Sequence, residues 1–363
     1  MTFRFAEAFV GYAAINDTAD SGWSNAGGCS YANNTGRFGL GGVTSGHGST
    51  FTRGITRVAA ATTDAVIVQF AAKFATGTRS NACTILRLKN NGGANDCFYL
   101  KRTPSDSVQV LDASAAIIGT SAGAILTPGG WHVIVVKATI GDGATGSVDV
   151  YVNDMNVPVL SLSGKDLNGA GAANGCDFVQ FEEGPGGDNV AGQIWTLSEL
   201  IIYDTEDTMP WNDLIGDKRL YLIETVADSS VEWTRNGGAT NFSRVGATVD
   251  PLTGTHDGDG TYNSSAVNGD ADLFTATNLP TGVVGIVGVI SVLTAKKADG
   301  GTEVEFFHHG ESNAVPWSAS TGALSTSYKN YQFNKLKNPD GDVDWAETTV
   351  NAMLIGYKSA EPA

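Results

Sequence analysis

The chain has 363 residues, 22 Lys and Arg against 38 Asp and Glu, a formal net charge of −16, 42% hydrophobic residues and 46 glycines. So negative a surface repels phosphate backbones and anionic lipid, which argues against a nucleic-acid binder or a membrane-docking protein. The apolar content argues against disorder, and the glycine against a long helical bundle, where each interior Gly costs ~1 kcal/mol relative to Ala.

At the N-terminus, Arg4 and Glu7 interrupt the apolar residues that a secretory signal needs in one run, so synthesis without a signal is expected. From there, period-two apolar patterning dominates. Val66, Val68 and Phe70 share one face of a strand. Cys83, Ile85 and Leu88 follow with one slipped step, which predicts a bulge or a two-sided strand. The turn Asn90–Asn95 then leads into Cys97-Phe-Tyr-Leu-Lys-Arg102, so a β-hairpin is expected. Strands are predicted at Ser107–Asp112, Trp131–Ile140, Ser147–Asp154, Val157–Leu162, Asp177–Glu183 and Ile194–Asp204. Elements of this length and spacing describe an antiparallel sandwich.

The acidic stretch after Asp204, with Met209-Pro210, separates two strand-rich halves. It divides the chain into a first domain over 1–205, a linker over 206–220 and a second domain over 221–363. A short helical turn is expected around Trp211–Ile215, with Asn212 or Asp213 as local cap. In the second half, strands are predicted at Asp217–Glu224, Val231–Arg235, Thr281–Ala295, Thr302–His309, Ser327–Phe333 and Thr349–Lys358. A long polar loop is expected between Gly246 and Asn278. The run Gly282–Ala295 is too short for a membrane span of ~20 residues and reads as a buried strand. The fold class is all-β, two antiparallel sandwiches.

Candidate chemistry is sparse. Cys29, Cys83, Cys97 and Cys176 have no CxxC spacing, which disfavours zinc; they read as buried thiols. Glu182 and Glu183 are adjacent, so on a strand they face opposite ways; Glu303 and Glu305 share a face, as ion-paired surface residues also would. His47, His132, His256, His308 and His309 fall in unrelated settings. Asp340, Asp342 and Asp344 alternate as at the start of a calcium loop, but lack its sixth-position Gly and distal Glu. His256-Asp-Gly-Asp-Gly260 with Asp270 and Asp272 is a second acidic cluster; solvated turns explain both. Trp23, Tyr31, Phe38 and Trp317 are the aromatic candidates for sugar stacking, with core packing as the alternative. No P-loop occurs. No catalytic residue, no cofactor and no metal site is therefore assigned, and no enzymatic activity is expected.

Two stretches carry a resemblance. Trp131–Leu160 with Ile194–Asp207 resembles the central hairpin and closing strand of laminin-G/concanavalin A-like jelly rolls, over residues 1–205. An ordered series is similar to bacteriophage structural proteins over most of 195–358. It comprises Leu200–Val245, Asp257–Ser265, Gly269–Phe274, Asn278–Pro280, Ile286–Gly301, Leu324–Tyr328, Asn338-Pro339, Trp345 and Val350–Lys358. The resemblance implies a virion protein assembled in the host cytoplasm: a tail-fibre or tail component, or a capsid spike or decoration protein. Its implied partners are other copies of itself in a homo-oligomer, a trimer or pentamer, other tail, vertex or capsid proteins, and host surface glycans. The alternatives are a free carbohydrate-binding module and a glycan-cleaving enzyme.

Overall fold

Residues Val66–Phe74, Val-Ile-Val-Gln-Phe-Ala-Ala-Lys-Phe, set the architecture of the first half. Alternation places Val66, Val68, Phe70, Ala72 and Phe74 in one buried layer. A computed structural model describes residues 3–7, 23–26, 29–32, 35–45, 50–59, 65–76, 82–90, 93–168, 175–182, 195–205, 213–237, 239–245, 260–298 and 305–360. Chain contacts divide it into Met1–Leu220 and Tyr221–Ala363. The fold is all-β; among the described residues the single α-helix has five residues. No helix among them is long and apolar enough to cross a membrane.

The first unit holds β1 (Phe3–Glu7), β2 (Trp23–Ala26), β3 (Ser30–Ala32), β4 (Gly42–Ser45), β5 (Thr50–Ala59), β6 (Val66–Phe74), β7 (Cys83–Asn90) and β8 (Asn95–Arg102). It continues with β9 (Val108–Asp112), β10 (Ile117–Thr120), β11 (Trp131–Thr139), β12 (Gly146–Val152), β13 (Leu160–Lys165), β14 (Gly175–Glu182) and β15 (Trp195–Asp204). They form an eight-stranded sheet, β13-β12-β11-β6-β15-β4-β3 with β1 beside β15, and a seven-stranded sheet, β10-β9-β8-β7-β14-β5-β2. One continuous core joins them, with Phe70 edge-on to Phe181 at 5.1 Å and Trp195 against both Phe74 and Phe181. The expected hairpin is present, Cys83 pairing with Arg102 and Asn90 with Asn95, and the slipped step is a bulge between Thr84 and Leu86.

The eight-stranded sheet is buried on both faces at its centre. Ile67 and Tyr203 point away from the core yet are fully buried. Residues 213–220 cover them: the Ile215 N–H donates to the Tyr203 hydroxyl at 3.4 Å, and the Gln69 amide pairs with Gly216 O and Lys218 N at 3.0 Å. This part of the stretch read as a linker is docked strap, because it satisfies backbone groups and shields apolar area. It carries no helix at 213–215; residues 206–212 lie outside the described set.

The second unit holds β16 (Thr225–Ser230), β17 (Thr234–Asn236), β18 (Tyr262–Ser264), β19 (Ala271–Ala276), β20 (Val289–Ala295), β21 (Glu305–Ser312), β22 (Val315–Ala323), β23 (Lys329–Lys335), α1 (Glu347–Asn351) and β24 (Leu354–Ser359). The main sheet runs β16-β19-β24-β21-β22; β17 pairs with β18 and β20 with β23. Four expectations are corrected here. Residues 217–224 are not a strand. The polar loop contains β18 and the inner strand β19, whose Asp272 and Phe274 are buried. The 282–295 run is strand only from Val289 and is buried only in part: Val283, Ile286, Val289 and Leu293 pack on the core, while Val284 is 87% and Val292 58% exposed. The predicted strand at 349–358 begins as α1. Among the described residues the core includes two small clusters, Leu279/Trp345/Val350/Met353 and Phe274/Phe306/Tyr357.

Candidate functional site

The β7–β8 hairpin turns one side chain in two away from the core. Leu86, Leu88, Phe98 and Leu100 face inward, so Arg87, Lys89, Tyr99 and Lys101 face outward. On the neighbouring β14, Val179 and Phe181 face inward and Phe178, Gln180 and Glu182 outward. Register places Gln180 beside Arg87 and Arg87 beside Tyr99, with Phe178 beside Lys89 and Lys89 beside Asp96. The result is a polar row across three central strands, most of it half-buried.

Arg87 organises it. Its Nη2 donates to Glu182 Oε1 at 2.6 Å, its Nη1 lies 3.5 Å from Asp96 Oδ2, and its guanidinium carbon sits 4.4 Å over the Tyr99 ring. The Tyr99 hydroxyl donates to Asp96 Oδ2 at 2.7 Å, Lys89 Nζ is 3.3 Å from Asp96 Oδ1, and Gln180 Nε2 donates to Glu182 Oε2 at 2.6 Å. Burial, then the bond to Asp96, pushes the Tyr99 hydroxyl up to about 12, so it acts as a fixed donor at neutral pH. A buried carboxylate, a clamped guanidinium, an amide and a phenol on one sheet face form a preorganised hydrogen-bonding platform. The sequence reading missed Arg87, Asp96 and Tyr99; the signal was the outward parity of Arg87, Lys89, Tyr99 and Lys101 on the two arms of one hairpin.

A second cluster lies on the other sheet. Glu199 holds φ 51° where the β15–β6 register shifts, and Phe38 holds φ 59°, both unusual for such residues. The Glu199 carboxyl is buried; it accepts from Leu220 N at 3.2 Å and is 3.5 Å from Arg37 Nη1, while Arg37 forks onto Asp217 at 3.0 and 2.8 Å. Burial raises Glu199 to about 7 despite Arg37. Phe38 is wedged between the guanidiniums of Arg37 and Arg219, at 4.4 and 3.8 Å. These groups fasten the strap to the sheet.

The second unit's polar centre is Asp272. Its carboxylate accepts from Glu232 N, Trp233 N, Asn241 Nδ2 and the Tyr357 hydroxyl, at 2.8–3.0 Å. His308 is buried with Nδ1 2.8 Å from Ser291 Oγ and no hydrogen-bond partner at Nε2; burial lowers it to about 4.

The residues singled out in the sequence are mostly scattered. Asp340 accepts from Asn313 and Asp344 pairs with Lys337, so Asp340, Asp342 and Asp344 do not converge on one point; no metal-binding group of three occurs among the described residues. His308 and His309 are both buried. His132 bonds Thr127 O, and the cysteines are buried. Trp23 and Trp317 are core residues, and Trp317 sits in β22 rather than in a loop. Phe38 is 49% exposed. Glu183, Glu303, His47 and 246–259 lie outside the described residues.

No family model and no curated protein matches the chain. Solved structures do. An alginate lyase, Aly36B, matches at 12% identity over 55% of this chain and 96% of its own, TM-score 0.38. An endo-β-1,4-glucuronan lyase from the fungus Trichoderma reesei matches at 10% over 49% and 87%, TM-score 0.35. A carbohydrate esterase from the Shiga toxin-encoding bacteriophage phi24B matches at 15% over 55% and 98%, TM-score 0.34. The expectation of no enzymatic activity is corrected on this finding, since these neighbours are carbohydrate-active enzymes by name. At such identities the likeness is one of β-sandwich fold.

Proposed function

We propose that the chain is a bacteriophage particle protein whose first unit contacts glycans through the outward face of the seven-stranded sheet. The observation that carries the glycan reading is the row of Gln180, Glu182, Arg87, Lys89, Tyr99 and Asp96, locked by mutual bonds on rigid strands. Sugar hydroxyls each donate and accept, and this row offers both functions on one face. The particle reading rests on the ordered segments of 195–358 that resemble phage structural proteins. With it go residence in the virion after assembly in the host cytoplasm, and contacts with tail, vertex or capsid proteins.

The second unit is the assembly unit in this reading, forming a homo-oligomer. Its buried clusters are small, while Val267, Val284, Val292 and Val343 are each more than half exposed. Association removes such surface from water.

A panel of immobilised glycans probed with intact protein, with reducing-end release followed alongside, tests the first part. Binding to at least one glycan class is expected, weakened about tenfold or more by Arg87→Ala, a loss of about 1.4 kcal/mol or more. Reducing-end release abolished by the same substitution would make the row catalytic. No binding across the panel, or equal binding by R87A, refutes the glycan reading. Absence of the chain from purified particles refutes the particle reading.

A further inference from the structure

The main sheet of the second unit has two edges, and they are finished differently. At β16 the edge is closed over: Asp228 accepts from Asn241 N at 3.1 Å and Phe242 N at 2.6 Å, which ties a 3-10 turn against the strand. β16 is also bulged twice against β19. Charge, bulges and a covering turn are the ordinary ways in which a sheet edge is protected from pairing with another chain.

β22, the other edge, carries one bulge, between Ser320 and Ala323, where Gly322 holds φ 72° and donates its N–H to Ser320 Oγ at 2.9 Å, but among the described residues its regular part has neither charge nor a covering turn. Its nine residues, Val-Pro-Trp-Ser-Ala-Ser-Thr-Gly-Ala, carry no charge, in a chain of net charge −16. It pairs with β21 on one side and, among the described residues, with no strand on the other. The register with β21 is regular from Phe307–Ser320 to Ser312–Val315, so the strand is held extended. Trp317 anchors it, stacked on Phe333 at 5.7 Å and lying over Gly310, where a Cβ would come within 2.6 Å of the indole. The anchored strand turns the exposed Ser318 and Ser320 away from the core. Pro316 blocks pairing only near one end.

We propose that β22 is the seam between copies: Trp317–Ser320 of one protomer, the regular stretch between Pro316 and the bulge, pairs antiparallel with the same segment of a second copy, joining two main sheets across a two-fold axis. Charge selects the occupant. Two copies of so acidic a chain repel wherever their charged surfaces meet, whereas this edge offers an uncharged approach. An acidic or basic partner would find no counter-charge there. Small side chains at 318–320 let two strands close to the ~4.8 Å of sheet pairing. A self-complementary edge gives the closed, isologous contact commonest among homo-oligomers.

This proposal rests on the assembly role of the second unit, and the test separates the two. Light scattering coupled to size-exclusion chromatography is run on the intact wild-type chain, on Ser320→Lys and Ser320→Glu, and on Ser229→Lys, an exposed control on the opposite edge strand β16. Hydrogen exchange of the 317–320 amides is measured on the wild type at low and high concentration. An oligomeric wild type, a monomer for both Ser320 variants, an unchanged S229K and further protection of the 317–320 amides at high concentration are expected. An oligomer that survives both Ser320 substitutions, or whose 317–320 amides gain no protection on association, overturns the β22 seam and leaves the assembly role standing. A wild type that stays monomeric overturns both.

Discussion

The two units reach their folds by different means. In Met1–Leu220, two large sheets close on one apolar core, and the strap at 213–220 buries a further layer. In Tyr221–Ala363, small clusters of buried residues are supplemented by a polar hub at Asp272 and by a sheet whose β22 edge pairs, among the described residues, on one side alone. The first unit can therefore hold a rigid face for recognition, while the second has surface left to share. A fold with little internal core depends on each buried hydrogen bond and on its neighbours in an assembly.

The comparison is broken or sharpened by substitutions, the largest effects first. Phe181→Ala, at the contact of Phe70, Trp23 and Trp195, removes the centre of the first core. A loss of ~3–5 kcal/mol is expected in denaturant unfolding, independent of protein concentration. Asp272→Ala strips the acceptor from four donors in the second unit. About 3 kcal/mol is expected to be lost, from the cost of leaving buried donors unpaired. A cost below about 1 kcal/mol would show that Asp272 is not the unit's hub.

The two units should also respond to pH in opposite directions. Glu199 is raised from 4.5 to about 7 by burial, so the folded first unit binds its proton more tightly than the unfolded chain does. That contribution is fully present below pH ~4.5 and is lost as pH rises to about 7. His308 is lowered from 6.5 to about 4, so the unfolded second unit takes up the proton first. Its contribution is fully present above pH 6.5 and is lost as pH falls to about 4. Relative to wild type, Glu199→Gln should gain most at pH 8, and His308→Gln should lose its disadvantage or gain at pH 4–5. Parallel melting curves read both, and a uniform offset across pH would contradict these assignments. The smallest effect is expected from Tyr99→Phe, which removes one half-buried hydrogen bond to Asp96. About 1 kcal/mol of stability is at stake, with a matching weakening of glycan binding if the hydroxyl also serves the ligand.

Legibility in the sequence followed the same division. In the first half, apolar alternation was driven by a two-layer core, so β6 to β9, β11 to β15, the 83–102 hairpin and its bulge could be read from residue types, whereas β1 to β5 and β10 were not. In the second half, strand identity depends on polar satisfaction that alternation does not report. β19 looked like loop because Asp272 interrupts its apolar pattern, yet that carboxylate is its anchor. The 282–295 run looked like core because valine and isoleucine dominate it, yet only alternate residues of β20 face inward. α1 was hidden because five residues make no helical period. The outward row was legible only as parity; which outward residues meet across β14, β7 and β8 is decided by register, which long-range pairing sets.

The central claim is that recognition belongs to the first unit's outward sheet face. Hydrogen exchange of the intact protein, with and without a saturating oligosaccharide chosen from the glycan panel, tests it directly. Slowed exchange is predicted in β7, β8 and β14, residues 83–102 and 175–182, with little change beyond Tyr221. Slowing confined to 221–363, or none at saturation, would contradict it.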